Sequence, residues 1–334
     1  MKKKLLTVAM IIAMMAVATA CGGDDGGSTN ATQQQEKGDP IPKGGKYVVK
    51  KTKKIIKEGN NMPENPDNGD RYYFGDYEYT MGNDGWTVVL GEKVEKTQAT
   101  YGEILESIGG CPVIDLSNLF YGCSNLTTSP KLPSGTVTLK NTFYDCVALT
   151  ESPEIPASVT DMQYTFNGCV NLTKAPTIPS GVTNMNYTFS ECEKITESPE
   201  IPAGVTHMQY TFNLCKNLVK PPVIPNGVKD MGYTFSGCEK LEAAPEIPDS
   251  VINMSGTFNN CVNMVTAPPK ISANVKYMSN AFNSCTKMTG SMVIDASPTE
   301  RANCFRLVNF KEQNLTVTGT SKFLDKMLAT GIIE

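Results

Sequence analysis

One histidine, His207, and one tryptophan, Trp86, stand in 334 residues. A Ser–His or Cys–His pair therefore has a single candidate base, and a site built on several histidines is excluded. No glycine-rich phosphate loop and no His-rich metal motif occurs in the chain. Long apolar runs are missing too: the longest, Leu5 to Val17, is broken only by Thr7 and is too short for an ordinary membrane-spanning helix. The formal net charge of -4, with signs mixed along the chain, argues against a nucleic-acid partner. No cofactor, metal site or catalytic residue is expected, and the chain is not read as an enzyme. Carboxylates are plentiful, and two facing each other as in a glycosidase are neither shown nor excluded by the sequence.

The N-terminus carries the argument about location. Lys2, Lys3 and Lys4 precede the apolar run, and Ala18-Thr19-Ala20-Cys21 follows it, which reads as a secretory signal over residues 1–20. With a cysteine at the cleavage point, the segment resembles a bacterial lipoprotein signal; the resemblance implies that Cys21 carries the lipid. The alternative is a plain secreted chain in which Cys21 is incidental. Residues 21–45 are polar and rich in glycine and glutamine, so they read as a flexible tether. The expected product is exported, lipid-anchored to a bacterial membrane and surface-exposed, touching the membrane through the anchor alone.

What the chain has in abundance is repetition. Cys123, Cys146, Cys169, Cys192, Cys215, Cys238 and Cys261 follow one another at 23 residues, and Cys285 comes after 24. Phe120, Phe143, Phe166, Phe189, Phe212, Phe235, Phe258 and Phe282 each precede the cysteine by three, and a Leu, Ile or Met follows it by three. One unit runs Cys169-x-x-Leu172-Thr173-x-x-Pro176-x-Ile178-Pro179-x-x-Val182-Thr183-x-Met185-x-Tyr187-Thr188-Phe189. This pattern closely resembles the BspA-like bacterial leucine-rich repeats, with Met and Thr-Phe where that family also uses Ile-Gly and Ala-Phe. The resemblance covers residues from about 117 to 289. It implies an adhesin-like surface protein whose partners are host or bacterial surface proteins or glycans.

The same pattern makes physical sense unaided. Paired prolines such as Pro153 and Pro156, or Pro176 and Pro179, fix an extended leg in each coil. Ile155 and its equivalents point inward from it, and Val159-Thr160 and its copies form a second short leg. Were Met162 to Phe166 a strand, Cys169 would face away from Phe166. In a helical turn Met162, Phe166 and Cys169 share a face and Tyr164 points outward. Cysteine favours burial, so a short helical turn is expected. The fold class is therefore an α/β solenoid of leucine-rich-repeat type, with short parallel strands and short helical turns in 23-residue coils, preceded by a small β module. Its divisions are a β module over 46–95, an N-terminal cap over 96–116, the solenoid over 117–305 and a C-terminal cap over 306–334.

The cysteine file invites disulfides, metal or a reactive thiol, but stacked side chains point in parallel and present ligands in a line. A ladder of buried free thiols, Cys123 to Cys285, beside the phenylalanine ladder Phe143, Phe166, Phe189, Phe212, Phe235 and Phe258, is the expected core. Cys111 and Cys304 fall outside it. His207 stands where other coils have Asp161, Asn184, Asp230 and Asn253, an exposed polar position. Glu151, Lys174, Glu197 and Lys220 alternate in sign from coil to coil, which favours correct register. Tyr164, Tyr187, Tyr210 and Tyr233 occupy one place in four successive coils; with Gln163, Asn186 and Gln209 beside them, they are the candidate binding face. A packing ladder covering the core edge is the competing account.

At the ends, Asp70 to Leu90 reads as hairpins with turns at Gly75-Asp76 and Asn83 to Gly85, and with Trp86 as core. Thr100 to Ile108 reads as a short amphipathic helix over the first coil, and Ser321 to Thr330 as a helix capped by Gly331. The function expected is protein binding or adhesion through the repeat surface. A passive spacer displaying the β module is the alternative, and a carbohydrate-active enzyme a third reading.

Overall fold

A computed structural model of the chain describes residues 41, 43–53, 55–57, 66–319, 322 and 325. The expected signal peptide and Cys21 lie outside the described residues. So does most of the expected C-terminal helix, of which Lys322 and Asp325 are described and are helical.

The repeat winds into a solenoid in which equivalent residues of successive coils sit side by side. One file of parallel single-residue bridges runs Asp115, Thr138, Asp161, Asn184, His207, Asp230, Asn253, Tyr277, Glu300. A second file pairs Glu151 with Lys174, Glu197 with Lys220, and Thr266 with Ala243 on one side and Thr289 on the other. The one extra residue falls between Thr266 and Tyr277, since Ala243 pairs with Thr266 at 23 while Asn253 pairs with Tyr277 at 24. In the central coils the expected short strands are thus reduced to isolated bridges, because prolines flank them and cannot donate to a longer ladder.

The expected helical turn from Met to Cys is instead a chain of tight turns. In the coil of Phe189, Met185, Tyr187, Phe189 and Glu191 donate their N–H groups to His207, Gln209, Thr211 and Asn213 of the next coil, at 2.7–3.0 Å. The residues between them, Thr188, Ser190 and Cys192, donate three residues back, to Met185, Tyr187 and Phe189. Two positions per coil take a left-handed backbone, Tyr187 at φ 58° and Glu191 at φ 64° in this one, and each interrupts helical winding. Every second amide is thereby turned along the rod axis, so the backbone is satisfied without helix or sheet. The burial expected from the helical pattern is still seen: Met162, Phe166 and Cys169 are fully buried and Tyr164 is half-buried.

Burial of the phenylalanine file drives the stacking. Rings from Phe143 to Phe258 lie 5.4–5.8 Å apart and within 9° of parallel. The file continues past the last ladder cysteine, Phe282 stacking on Phe305 at 5.2 Å. Phe305 stands 23 residues after Phe282, and Val308 takes the place a cysteine would hold, so the chain makes a ninth turn before Phe310 closes over Phe305 edge-on. Where the second proline of the leg is missing, true strands form. β8 (Lys270–Ile271), β9 (Gly290–Ile294) and β10 (Leu315–Thr318) make a parallel sheet in the order β10-β9-β8.

At the other end, β1 (Lys46–Val48), β2 (Ile55–Lys57), β3 (Arg71–Phe74), β4 (Tyr77–Met81) and β5 (Trp86–Leu90) form the small β module. The turn at Gly75-Asp76 joins β3 to β4, with Gly75 at φ 57°, as its lack of a Cβ allows. The sheet does not stop there. β5 pairs in parallel with β7 (Cys111–Asp115), and β6 (Ser107–Ile108) adds the far edge, giving the order β2-β1-β3-β4-β5-β7-β6. Trp86 is buried, its Nε1 donating to the Ile108 carbonyl at 3.0 Å, and Tyr77 and Tyr101 pack on Phe120. One apolar core therefore runs from the module through the coils.

The helix expected over Thr100 to Ile108 does not form. Tyr101, Ile104 and Ile108 are buried as an amphipathic helix would bury them, but the local N–H groups are claimed by side chains of the sheet. Gly102 donates to Asp76 Oδ2 at 2.6 Å and Leu105 to Tyr79 Oη at 3.1 Å. These bonds replace the four-back carbonyls a helix would use.

Candidate binding face

The left-handed position two residues before each phenylalanine is the starting point for the site. Along the rod it is held by Asn118, Asn141, Tyr164, Tyr187, Tyr210, Tyr233, Gly256, Asn280 and Asn303, every one at φ between 54° and 62°. Asparagine and glycine are the residues that tolerate this region, and a large side chain there is strained by about 1–3 kcal/mol. The outer coils obey that preference. The four central coils set tyrosine there instead.

The rings form a continuous stack. Tyr164, Tyr187, Tyr210 and Tyr233 follow one another at 4.4, 4.4 and 4.8 Å between centroids, within 12° of parallel. The stripe extends further than the sequence pattern implies. Tyr121 stacks on Tyr144 at 4.7 Å, and Tyr144 meets Tyr164 at 6.5 Å, tilted by 44°. These two tyrosines follow their phenylalanines directly instead of preceding them by two, so column-by-column reading misses them; the signal is that Tyr-free coils on one column carry tyrosine on the next. Lys96 Nζ lies 5.8 Å from the Tyr121 ring centre at one end of the stripe. At the other end the Tyr233 ring lies across Gly256, where a Cβ would collide with it.

Because the rings stack face to face, their faces are occupied by one another and their edges and hydroxyls look outward. A sugar laid flat on a ring face has no place along the stripe. Burial, followed by the neighbouring Tyr164 and Tyr210 phenols, pushes Tyr187 up to about 12, and Tyr210 is raised mainly by burial. Tyr187 and Tyr210 thus present neutral hydroxyls that both donate and accept.

The amide column beside it is partly committed to the fold. Asn186 Oδ1 accepts the Gln209 N–H at 2.8 Å, and Gln209 Nε2 donates to Asp230 Oδ2 at 2.7 Å. Gln163 is half-buried, its N–H donating to Asp161 Oδ1 at 2.9 Å. Asp161, Asn184, Asp230 and Asn253 each accept the N–H two residues on, which fixes the turn. His207 in the same file is exposed and bonds Thr206 Oγ1 through Nδ1 at 2.8 Å. In its coil the Gln209 N–H turns to Asn186 of the preceding coil instead. The column is a turn-forming position, and the hydroxyl that His207 meets belongs to its chain neighbour Thr206.

The ladder cysteines are buried free thiols. Each from Cys146 to Cys285 donates its S–H to the phenylalanine carbonyl of the preceding coil, as Cys192 does to Phe166 at 3.2 Å. Buried threonines do the same one step away, Thr188 Oγ1 bonding the Met162 carbonyl at 2.9 Å. Burial raises the thiols from Cys146 to Cys285 far above their ordinary range, and Cys304 up to about 12. Nucleophilic chemistry needs the thiolate, so this file is structural. Among the described residues no group of three or more His, Cys, Asp or Glu side chains is placed to hold a metal.

On the proline side, two open grooves of about 610 and 760 Å³ lie between successive legs, with Lys174 shared between them and Glu151 and Glu197 on either side.

The family model for the BspA type leucine rich repeat region matches residues 116–219 and 208–323, in six copies. Among solved structures, the chain is similar to a leucine rich repeat protein of T. pallidum at 24% identity, covering 63% of this chain and 86% of that one, with a TM-score of 0.42. It is also similar to a leucine-rich repeat protein from Bacteroides ovatus, at 19% identity over 74% and 90% of the two chains, TM-score 0.45. A leucine rich cell surface protein from Faecalibacterium prausnitzii matches at 18% identity over 76% and 96%, TM-score 0.30. No curated protein matches the chain.

Proposed function

The chain belongs to the BspA-type leucine-rich-repeat family, and we propose that it is a bacterial surface protein that captures a host or bacterial surface protein, or a glycan, on its tyrosine stripe. Export and attachment through a lipid on Cys21 are part of this reading, and no catalytic role is.

The observation that carries it is the strained tyrosine in four adjacent coils where the same backbone position elsewhere holds asparagine or glycine. Packing alone does not call for it. The outer coils close their core with Asn at that place, and the phenylalanine, threonine and cysteine files already zip the coils together. Residues held in disfavoured conformations gather where a ligand is gripped, and tyrosine edges with rigid rings are efficient contact groups. The continuity of the N-terminal sheet and core with the first coil supports reading the β module as the end cap of the rod rather than as cargo displayed by a spacer.

Asparagine is the discriminating replacement. Tyr187→Asn together with Tyr210→Asn relieves the left-handed strain while removing one stacked file segment, so stability should change by no more than about 1 kcal/mol per site. Capture of labelled host matrix proteins and glycans should fall at least tenfold, as loss of central aromatic anchors does. Unfolding of the double variant, or undiminished capture by a folded one, refutes the proposal.

A further inference from the structure

The chain carries seven lysines and no acid between residues 43 and 57, although its net charge is negative. This stretch is the β1–β2 hairpin at the outer edge of the N-terminal sheet. Its register sets Lys46 directly opposite Lys57, a like-charge pair that costs stability in any strand ladder. The turn is lysine as well: Lys50, Lys51 and Lys53 are exposed, and Lys53 takes φ 53°.

Lysines on an edge strand discourage other chains from pairing with it, and one or two suffice for that. They do not explain a turn built from lysine, which has no pairing edge to protect. For Lys46 and Lys51 the compensation is slight: Lys51 meets Asp67 at 3.1 Å with both groups largely exposed, and Lys46 lies 5.2 Å over the Tyr73 ring. Asp70 is buried and spends its oxygens on the Tyr47 hydroxyl and the Lys50 and Asp67 N–H groups. Ile55, half exposed, adds an apolar contact to the same hairpin.

We propose that this hairpin seats on the phosphate surface of an anionic lipid bilayer. Lysine, a hydrated point charge on a flexible stem, suits a diffuse sheet of lipid phosphates; arginine, the residue for paired recognition of single phosphates, is absent from the segment. Tyr47 is buried, so the hairpin offers no aromatic platform for stacked bases. β2 and β7 stand far apart in the strand order, so contact through the hairpin leaves the coils pointing away from the bilayer with the tyrosine stripe accessible.

The test uses the chain from residue 22 onward, which keeps the whole core and removes both the apolar leader and Cys21. Sedimentation with vesicles of phosphatidylcholine containing a third phosphatidylglycerol should carry the protein down at low salt and release it at high salt, and neutral vesicles should not carry it at all. Each lysine near such a surface is worth about fivefold in binding, so Lys50→Ser, Lys51→Ser and Lys53→Ser together should weaken it on the order of a hundredfold. The matching triple change to Arg should preserve it. Equal binding to neutral vesicles, no loss in the Ser variant, or duplex DNA competing as well as vesicles do overturns the proposal. None of these outcomes bears on the tyrosine stripe.

Discussion

The two sides of each coil are joined to their neighbours by different means. On the side of the tight turns, alternate amides, the buried threonine hydroxyls and the thiols all bond along the rod axis to the adjacent coil. On the proline side the legs run past one another without such bonds between, for example, Pro176–Pro179 and Pro199–Pro202, and grooves open there. The last coils supply the control. Where the leg loses its second proline, as at β8, or both, as at β9 and β10, the legs pair as true parallel strands. Proline, not the solenoid itself, keeps the central legs apart.

The largest effect that tests this contrast is alkaline unfolding. The turn side stores eight thiols whose buried state holds them protonated, whereas the unfolded chain releases their protons from about pH 8.5 upward. A pKa raised by folding contributes stability below the unfolded value and loses it as pH rises. Eight such groups give a slope on the order of 10 kcal/mol per pH unit, so the rod should unfold between about pH 9 and 10 by circular dichroism. Changing Cys169, Cys192, Cys215 and Cys238 to Ala should flatten that slope by half. An unaltered alkaline midpoint in the quadruple variant speaks against the thiols.

Single replacements on the same side come next. Phe189→Ala should cost about 3–5 kcal/mol in denaturant unfolding, as truncation of a buried ring does. Thr188→Val removes one donor shared by the Met162 and Met185 carbonyls and should cost about 1–3 kcal/mol. A Thr188→Val change that leaves stability intact would mean the hydroxyl file contributes nothing.

The smallest effect belongs to the proline side. Pro199→Ala frees the unfolded chain while breaking no bond between coils, so it should cost less than about 1 kcal/mol. Hydrogen exchange should show the same division, with the amides of Glu200 and Ile201 exchanging well before those of Phe189 and Cys192. Equal protection on the two sides would erase the contrast.

How much of this was legible in the sequence varies with the kind of information. The files of Phe, Cys and Met were readable because a fixed 23-residue spacing leaves one place for each in a coil. The local backbone was not. Met162, Phe166 and Cys169 share a face in a helix and also in a chain of turns with two left-handed residues, and side-chain spacing does not separate the two. Asn118, Asn141, Gly256, Asn280 and Asn303 at the tyrosine position held the clue, since those residues mark left-handed backbone wherever they alternate with anything else. The ninth turn was hidden by expecting a cysteine where Val308 stands, although Phe305 kept the spacing. The N-terminal sheet joins the first coil through parallel pairing of β5 with β7, a contact between distant segments that no local pattern announces. Thr100 to Ile108 misled for a related reason: its apolar spacing was right, but Asp76 and Tyr79, far back in the chain, decide where its amides go.

The orientation of the inter-coil bonds has a mechanical corollary. Drawn out by its two ends, the rod would carry load along the N–H···O direction itself, with the whole set at one turn-side interface strained together and the groove side yielding first as a hinge. Coils would then peel off singly, each giving up a fixed length of chain, so that an applied pull is spent in small steps and the remaining coils keep their shape.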